Sequence, residues 1–350
     1  MESLVKKFLD SHGHLRPSTL KGYEKFLNRY MTFLNGQSPS KENAIAFLNQ
    51  FNHIQTASLN RYRARMRKFM DWYGIDPSFI KFAKEKKKTI SKKELLTKEE
   101  LDLLLKNLQP HQQTIVMVIL EGKLRVSECI NLKVGDFQNC ETHFNLHVKV
   151  SKTGQRTVPL VESVPYILNH LNSHPFKYDH EFEKKHFFIH RWGGKWSPYT
   201  RGGIEQILID KRKLLGKHIY PHLLRHTGLT QAAKYLSDSQ LKQLAGWTTR
   251  SMIDRYVHLA SDDLENSVLA AYNIEPKERE DPVRIIENLD CPRCKFTNPG
   301  INKFCSNCGS ALEADILYKY RKIIDKYKEK KEDLLMLFEE FIDKEFKEGP

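Results

Sequence analysis

Apolar residues recur at helical spacing through most of this 350-residue chain, and the pattern turns to alternation in only a few short places. That balance predicts a mainly α protein with a small antiparallel β-sheet, an α+β fold. Leu20, Tyr23, Phe26, Leu27, Tyr30 and Phe33 follow Pro17 and Ser18 with helical periodicity. Leu59, Tyr62, Met66, Phe69 and Tyr73 form a second apolar face, and Gly74 stops that helix. Alternation begins in FNLHVKV (144–150) and RTVPL (156–160), which flank the Gly-containing SKTGQ and predict a hairpin. HFFIH (186–190) predicts a further short strand, and residues 197–272 return to helical spacing with breaks at Gly216 and Gly246.

These patterns divide the chain. Residues 1–83 predict a helical domain, and the basic run within 84–96 predicts a linker. Thr97 and Glu100 supply a capping box that opens a larger domain over 97–272. A charged, Pro-punctuated linker (273–288) leads to a compact cysteine module (289–311) and a terminal amphipathic helix (312–350). In that helix a short, interrupted heptad fits coiled-coil pairing and packing on its own domain equally well.

Lys and Arg outnumber Asp and Glu by 57 to 43, a formal net charge of +14, which favours a polyanionic partner through counterion release. On the helix carrying Leu59 and Met66, Arg61, Arg65 and Lys68 lie at i, i+4 and i+7 beside Arg63 and Arg67. No acidic residue interrupts the centre of this face, so Arg61, Arg63, Arg65 and Lys68 are the candidate phosphate contacts. No apolar run approaches the roughly 18 residues of a membrane span, so no membrane partner is expected.

Cys291, Cys294, Cys305 and Cys308 form two C-x-x-C pairs around a ten-residue loop, the spacing of a four-thiolate structural zinc site of the ribbon type. With every coordination position filled by protein, such an ion would fold the module and leave catalysis alone. Metal-type cysteine usage implies a reducing, cytoplasmic setting.

The chemistry concentrates elsewhere. Arg125 lies in GKLRVSE, Lys152 in the hairpin turn, His222 and Arg225 in PHLLRH, Trp247 in AGW and Tyr256 in SMIDRYVHL. Guanidiniums match the non-bridging oxygens of a phosphodiester bidentately, and a phenol can attack its phosphorus. A salt bridge to Glu128 would orient Arg125, and the two roles are compatible. His222 can donate to phosphate or accept the tyrosine proton. His226 reads as a supporting or core residue. The Trp247 indole can only donate, and core packing is its other reading.

This ordered set resembles the tyrosine recombinase (phage integrase) family over residues 97–272, with a helical core-binding domain before it. The resemblance implies a site-specific recombinase or integrase with Tyr256 as nucleophile, a 3′-phosphotyrosyl intermediate, and Lys152 as general acid toward the 5′-oxygen. It also implies double-stranded DNA as partner, a homo-tetramer on paired sites and no cofactor for the chemistry. An accessory protein could bind the C-terminal region. Relaxation by type IB topoisomerase chemistry, or a DNA-binding protein without catalysis, are the rival readings. Many relatives have Gly-Leu before the first arginine, whereas this chain has Gly122-Lys123-Leu124.

Overall fold

A computed structural model describes residues 3–84, 91–151, 154–249, 252–253, 256, 272 and 288–312. The chain splits into two compact units, Met1–Lys88 and Thr89–Pro350. Both are mainly helical, and the sheets are small and antiparallel, the α+β class expected from the periodicity.

The first unit contains α1 (Leu4–Ser11), α2 (Pro17–Leu34), α3 (Lys41–Asn49) and α4 (Thr56–Tyr73). Pro17 at the start of α2 needs no intrahelical donor, and Gly74 ends α4 with φ of 91°, the left-handed cap that glycine adopts without strain. Phe8, Tyr30, Phe47, Met66 and Phe69 are buried together in an aromatic-rich core. The predicted apolar face of α4 therefore points inward, although Tyr73 at its end is only partly covered.

The second unit begins with α5 (Lys98–Lys106), whose N-terminus carries the Thr97–Glu100 capping box. Leu96, within the basic segment before it, is already buried in the core of this unit, and its N–H donates to Thr227 Oγ1. Next come α6 (Pro110–Glu121) and the single turn α7 (Val126–Cys129). Every α6 residue from Thr114 to Leu120 is buried, as a helix apolar on all sides requires.

A three-stranded sheet follows, in the order β1 (Phe137–Asn139), β2 (Phe144–Val148), β3 (Arg156–Leu160). Phe144, Leu146 and Val148 face inward from β2, paired with Leu160, Val158 and Arg156 of β3. The hairpin is thus the one predicted; β1, three residues long, carries no readable alternation. After α8 (Val164–Ser173), β4 (Ile189–Trp192) pairs with β5 (Lys195–Pro198). This strand starts later than predicted, because Phe187 and Phe188 are both buried in the core rather than alternating.

The helical return comprises α9 (Arg201–Ile209), α10 (Arg212–Leu215), α11 (Pro221–Ala232) and α12 (Asp238–Ala245). Helix α11 packs on α6 so closely that a Cβ on Gly228 would lie 2.1 Å from the Leu120 carbonyl oxygen. A last pair, β6 (Asn288–Asp290) and β7 (Thr297–Pro299), belongs to the cysteine module. Apart from Leu312, the predicted terminal helix (312–350) lies outside the described residues, and so does the predicted linker (273–288) apart from Asn288, which begins β6. Among the described residues no helix is long and apolar enough to cross a membrane.

Candidate active site and cysteine cluster

Glu128, in the single turn α7, organises the candidate site. Its buried carboxylate accepts from the Arg125 backbone N–H at 2.9 Å and from Arg125 Nη1 at 2.7 Å. Two further bonds come from the Arg156 guanidinium, at 3.1 and 2.8 Å, and one from Ser151 Oγ at 2.7 Å. Burial alone would raise this carboxyl. The Arg156 charge and hydrogen bonds, with those of Arg125 and Ser151, outweigh it and hold Glu128 at about 2. The expected Arg125–Glu128 pair is therefore present, and Arg125 remains partly open at 23 % side-chain exposure.

Arg225 approaches the same carboxylate from α11, with Nη1 4.0 Å from Glu128 Oε2. It is almost wholly buried. Nη1 also donates to the Lys123 carbonyl and Nη2 to that of Ala245, at 2.7 Å. Burial, aided by the neighbouring Arg125 charge, lowers Arg225 to about 10, so it stays cationic at neutral pH. Lys123 adopts φ of 49°, which turns the chain out of α6 so that its carbonyl meets Arg225. The charged residue before Leu124 thus occupies a left-handed position that usually favours glycine.

His222 and Arg225 share α11, but His222 is exposed in its first turn. His226, one further turn along, is buried; its ring meets His222 edge to face at 4.3 Å between centroids. Tyr256 is buried too, with its Oη 2.5 Å from His226 Nδ1. Its ring stacks on Trp247 at 5.1 Å. Five of the six predicted residues are thus found near one another, linked through Glu128, α11 and Trp247. The sixth, Lys152, lies outside the described residues, between Ser151, which is bonded to Glu128, and Gly154.

Sequence reasoning missed Arg156, Ser151 and the contact of His226. Arg156 had a legible signal: it occupies an inward position of an alternating strand, where a cation needs a partner. His226 lies four residues after His222, a spacing that puts both on one helix face.

In the other unit, the candidate phosphate contacts lie along α4. Arg61 is exposed and donates to Ser58 Oγ, while Arg63 and Lys68 are half-buried. The Arg65 guanidinium folds against α2, where a Cβ on Gly22 would lie 2.6 Å from Nη2.

The ligand sulfurs of Cys291, Cys294, Cys305 and Cys308 all lie within 4.8 Å of one another and could hold a metal ion. The two C-x-x-C turns are matched: Lys295 N–H donates to the Cys291 carbonyl, and Gly309 N–H to that of Cys305. Asn298, fully buried, donates to Cys305 Sγ at 3.5 Å. Against the cost of burial, the Cys308 and Asn307 N–H groups lower Cys305 to about 6. Despite a backbone bond at Ser310, the neighbouring sulfurs push Cys308 up to about 12. Four thiolates this close need a cation to ionise together. The module rests on the unit it follows: β7 packs against α8, Ile301 joins the main core, and Asn288 Nδ2 donates to the Glu162 carbonyl.

Residues 94–262 match the phage integrase family. A tyrosine recombinase XerC of Listeria innocua is 24 % identical over 293 residues, covering 76 % of this chain and 96 % of its own. A tyrosine recombinase XerH of Campylobacter jejuni is 24 % identical over 277 residues, with 75 % and 68 % covered. Among solved structures, XerH recombinase in a post-cleavage complex with palindromic difH substrate aligns with a TM-score of 0.58. It is 15 % identical, and the alignment covers 77 % of this chain and 84 % of that one. The Tn1549 transposon integrase in complex with circular intermediate DNA gives the same TM-score and identity, with 77 % and 98 % covered. At these identities the structures share the fold.

Proposed function

We propose that this chain is a tyrosine-type site-specific DNA recombinase that cuts and rejoins strands through a 3′-phosphotyrosyl link to Tyr256. The observation that carries this reading is the meeting of Arg125 and Arg225 at one buried carboxylate, with Tyr256 hydrogen-bonded to the residue that follows Arg225.

The scissile phosphate gains negative charge on its non-bridging oxygens as the phenol attacks. Arg125, partly exposed and held by Glu128, meets one side of that charge. Arg225 supplies a second, fixed cation beside the same carboxylate. Removing one such donor typically costs about 10²–10³ in rate. Exposed His222 donates to a phosphate oxygen, and the Trp247 indole, stacked on the nucleophile, fixes its ring. Lys152, next to Ser151, protonates the departing 5′-oxygen. The covalent link conserves the phosphodiester energy, so these residues need no cofactor for the chemistry. The packing of Tyr256 on its own chain's Trp247 and His226 supports cleavage in cis.

The α4 residues Arg61, Arg63, Arg65 and Lys68 grip the duplex backbone, and four copies assemble on two paired sites in the cytoplasm. The role is integration of a mobile element. The four-cysteine cluster holds a structural zinc ion. Zn–S bonds of about 2.3 Å in a tetrahedron separate sulfurs by about 3.8 Å, and Cys291–Cys308 and Cys294–Cys305 are each separated by 3.6 Å.

Nicked suicide duplexes with randomised sequence, incubated with the full chain, will accumulate a covalent protein–DNA complex from which the recognised site can be read. Two differently labelled duplexes bearing that site should then exchange strands. Supercoil relaxation without exchange would identify a topoisomerase instead, and binding without any covalent complex would identify a DNA-binding protein that lacks catalysis.

A further inference from the structure

We infer that His226, rather than His222, takes the proton from the Tyr256 phenol as the strand is cut. This inference rests on the proposal that Tyr256 is the nucleophile. On this face of α11, His226 bonds the phenol directly, through Nδ1 at 2.5 Å. It is 4 % exposed and Tyr256 1 %, so water has little access to compete for that proton. His222 is exposed, and its ring meets that of His226 edge to face at 4.3 Å between centroids. The two histidines divide the work: His222 faces substrate and His226 faces the nucleophile.

The step balances without an outside reagent. In the tautomer protonated on Nε2, His226 Nδ1 has a lone pair directed at Tyr256 Oη. The phenolic proton moves to Nδ1 while the oxygen forms its bond to phosphorus. The bond from phosphorus to the 5′-oxygen breaks, and that oxygen leaves with a proton from the general acid. Rejoining reverses each transfer, and His226 returns the proton to the phenol. Trp247, stacked on the other partner of the bond, keeps the ring in register with Nδ1.

The test uses the full chain and the suicide duplex recovered by trapping. Tyr256→Phe comes first: persistence of the covalent complex would refute the nucleophile, not the base. With Tyr256 established, His226→Phe should slow formation of the complex by about 10²-fold or more, the range of general base catalysis, with DNA affinity unchanged. Replacing Tyr256 with 2,3,5-trifluorotyrosine, a phenol acidic enough to ionise near neutral pH, should restore most of that loss, because an ionised nucleophile needs no base. A packing role would gain nothing from fluorination. His226→Gln, which keeps an acceptor but cannot take a proton, gives the same comparison if the Phe variant fails to fold. Wild-type rates in these variants, or a slow rate that fluorination leaves unchanged, would overturn the assignment.

Discussion

Glu128 shows how much of this site depends on one side chain. Arg125, Arg156 and Ser151 all bond it, and Arg225 lies 4.0 Å away. Its carboxyl is held at about 2 against an ordinary 4.5. A depressed carboxyl stabilises the fold fully above the unfolded value, and that contribution fades as pH falls through the folded one. The shift corresponds to about 3 kcal/mol at neutral pH. Glu128→Gln should therefore unfold more readily than the parent at pH 7, and thermal melts of the two should converge as pH drops from 4.5 toward 2. Arg156→Met leaves a buried carboxylate short of its main partner, and such losses cost about 3–5 kcal/mol. Its melt should fall further than that of Arg125→Met, because Arg125 is partly solvated.

Among elements, the α6–α11 contact positions Arg225 and the histidines. Gly228→Ala drives a methyl into the Leu120 carbonyl, and overpacking of this kind costs about 1–3 kcal/mol. Denaturant melts should show that loss together with slower cleavage, since α11 must shift. The cysteine module is a second case. It packs on α8 and on the main core of its own unit. Metal removal by a chelator should loosen both the module and α8, read as faster amide exchange in residues 164–173. Ile301→Asp should loosen α8 while the metal stays bound. Exchange in α8 that ignores both would contradict an integral role.

Element type was legible wherever periodicity ran long, as in α2 and α4, or where chemistry marked an end, as with Gly74 and the Thr97–Glu100 box. Short elements were not: β1 has three residues, and β4 begins after Phe187 and Phe188, whose burial on both sides erases alternation. The order of chemical residues showed which side chains to watch, but not the Glu128–Arg156 bond or the turn of His226 toward Tyr256. Both depend on contacts between residues 28 and 30 positions apart.

For the molecule as a whole, a net charge of +14 and a basic α4 predict DNA affinity that falls steeply with salt. Alanine at Arg61, Arg63 or Lys68 should reduce the slope of log affinity against log salt by about one each, across all sequences. Arg65→Ala should in addition lower thermal stability, because that guanidinium packs over Gly22. The most direct measurement is mass-spectrometric mapping of the adduct in the trapped complex. The account predicts a single nucleotide-bearing peptide containing Tyr256, joined through a 3′-phosphate, with a free 5′-hydroxyl on the released strand. An adduct on another residue, or a 5′-phosphoryl linkage, would contradict it.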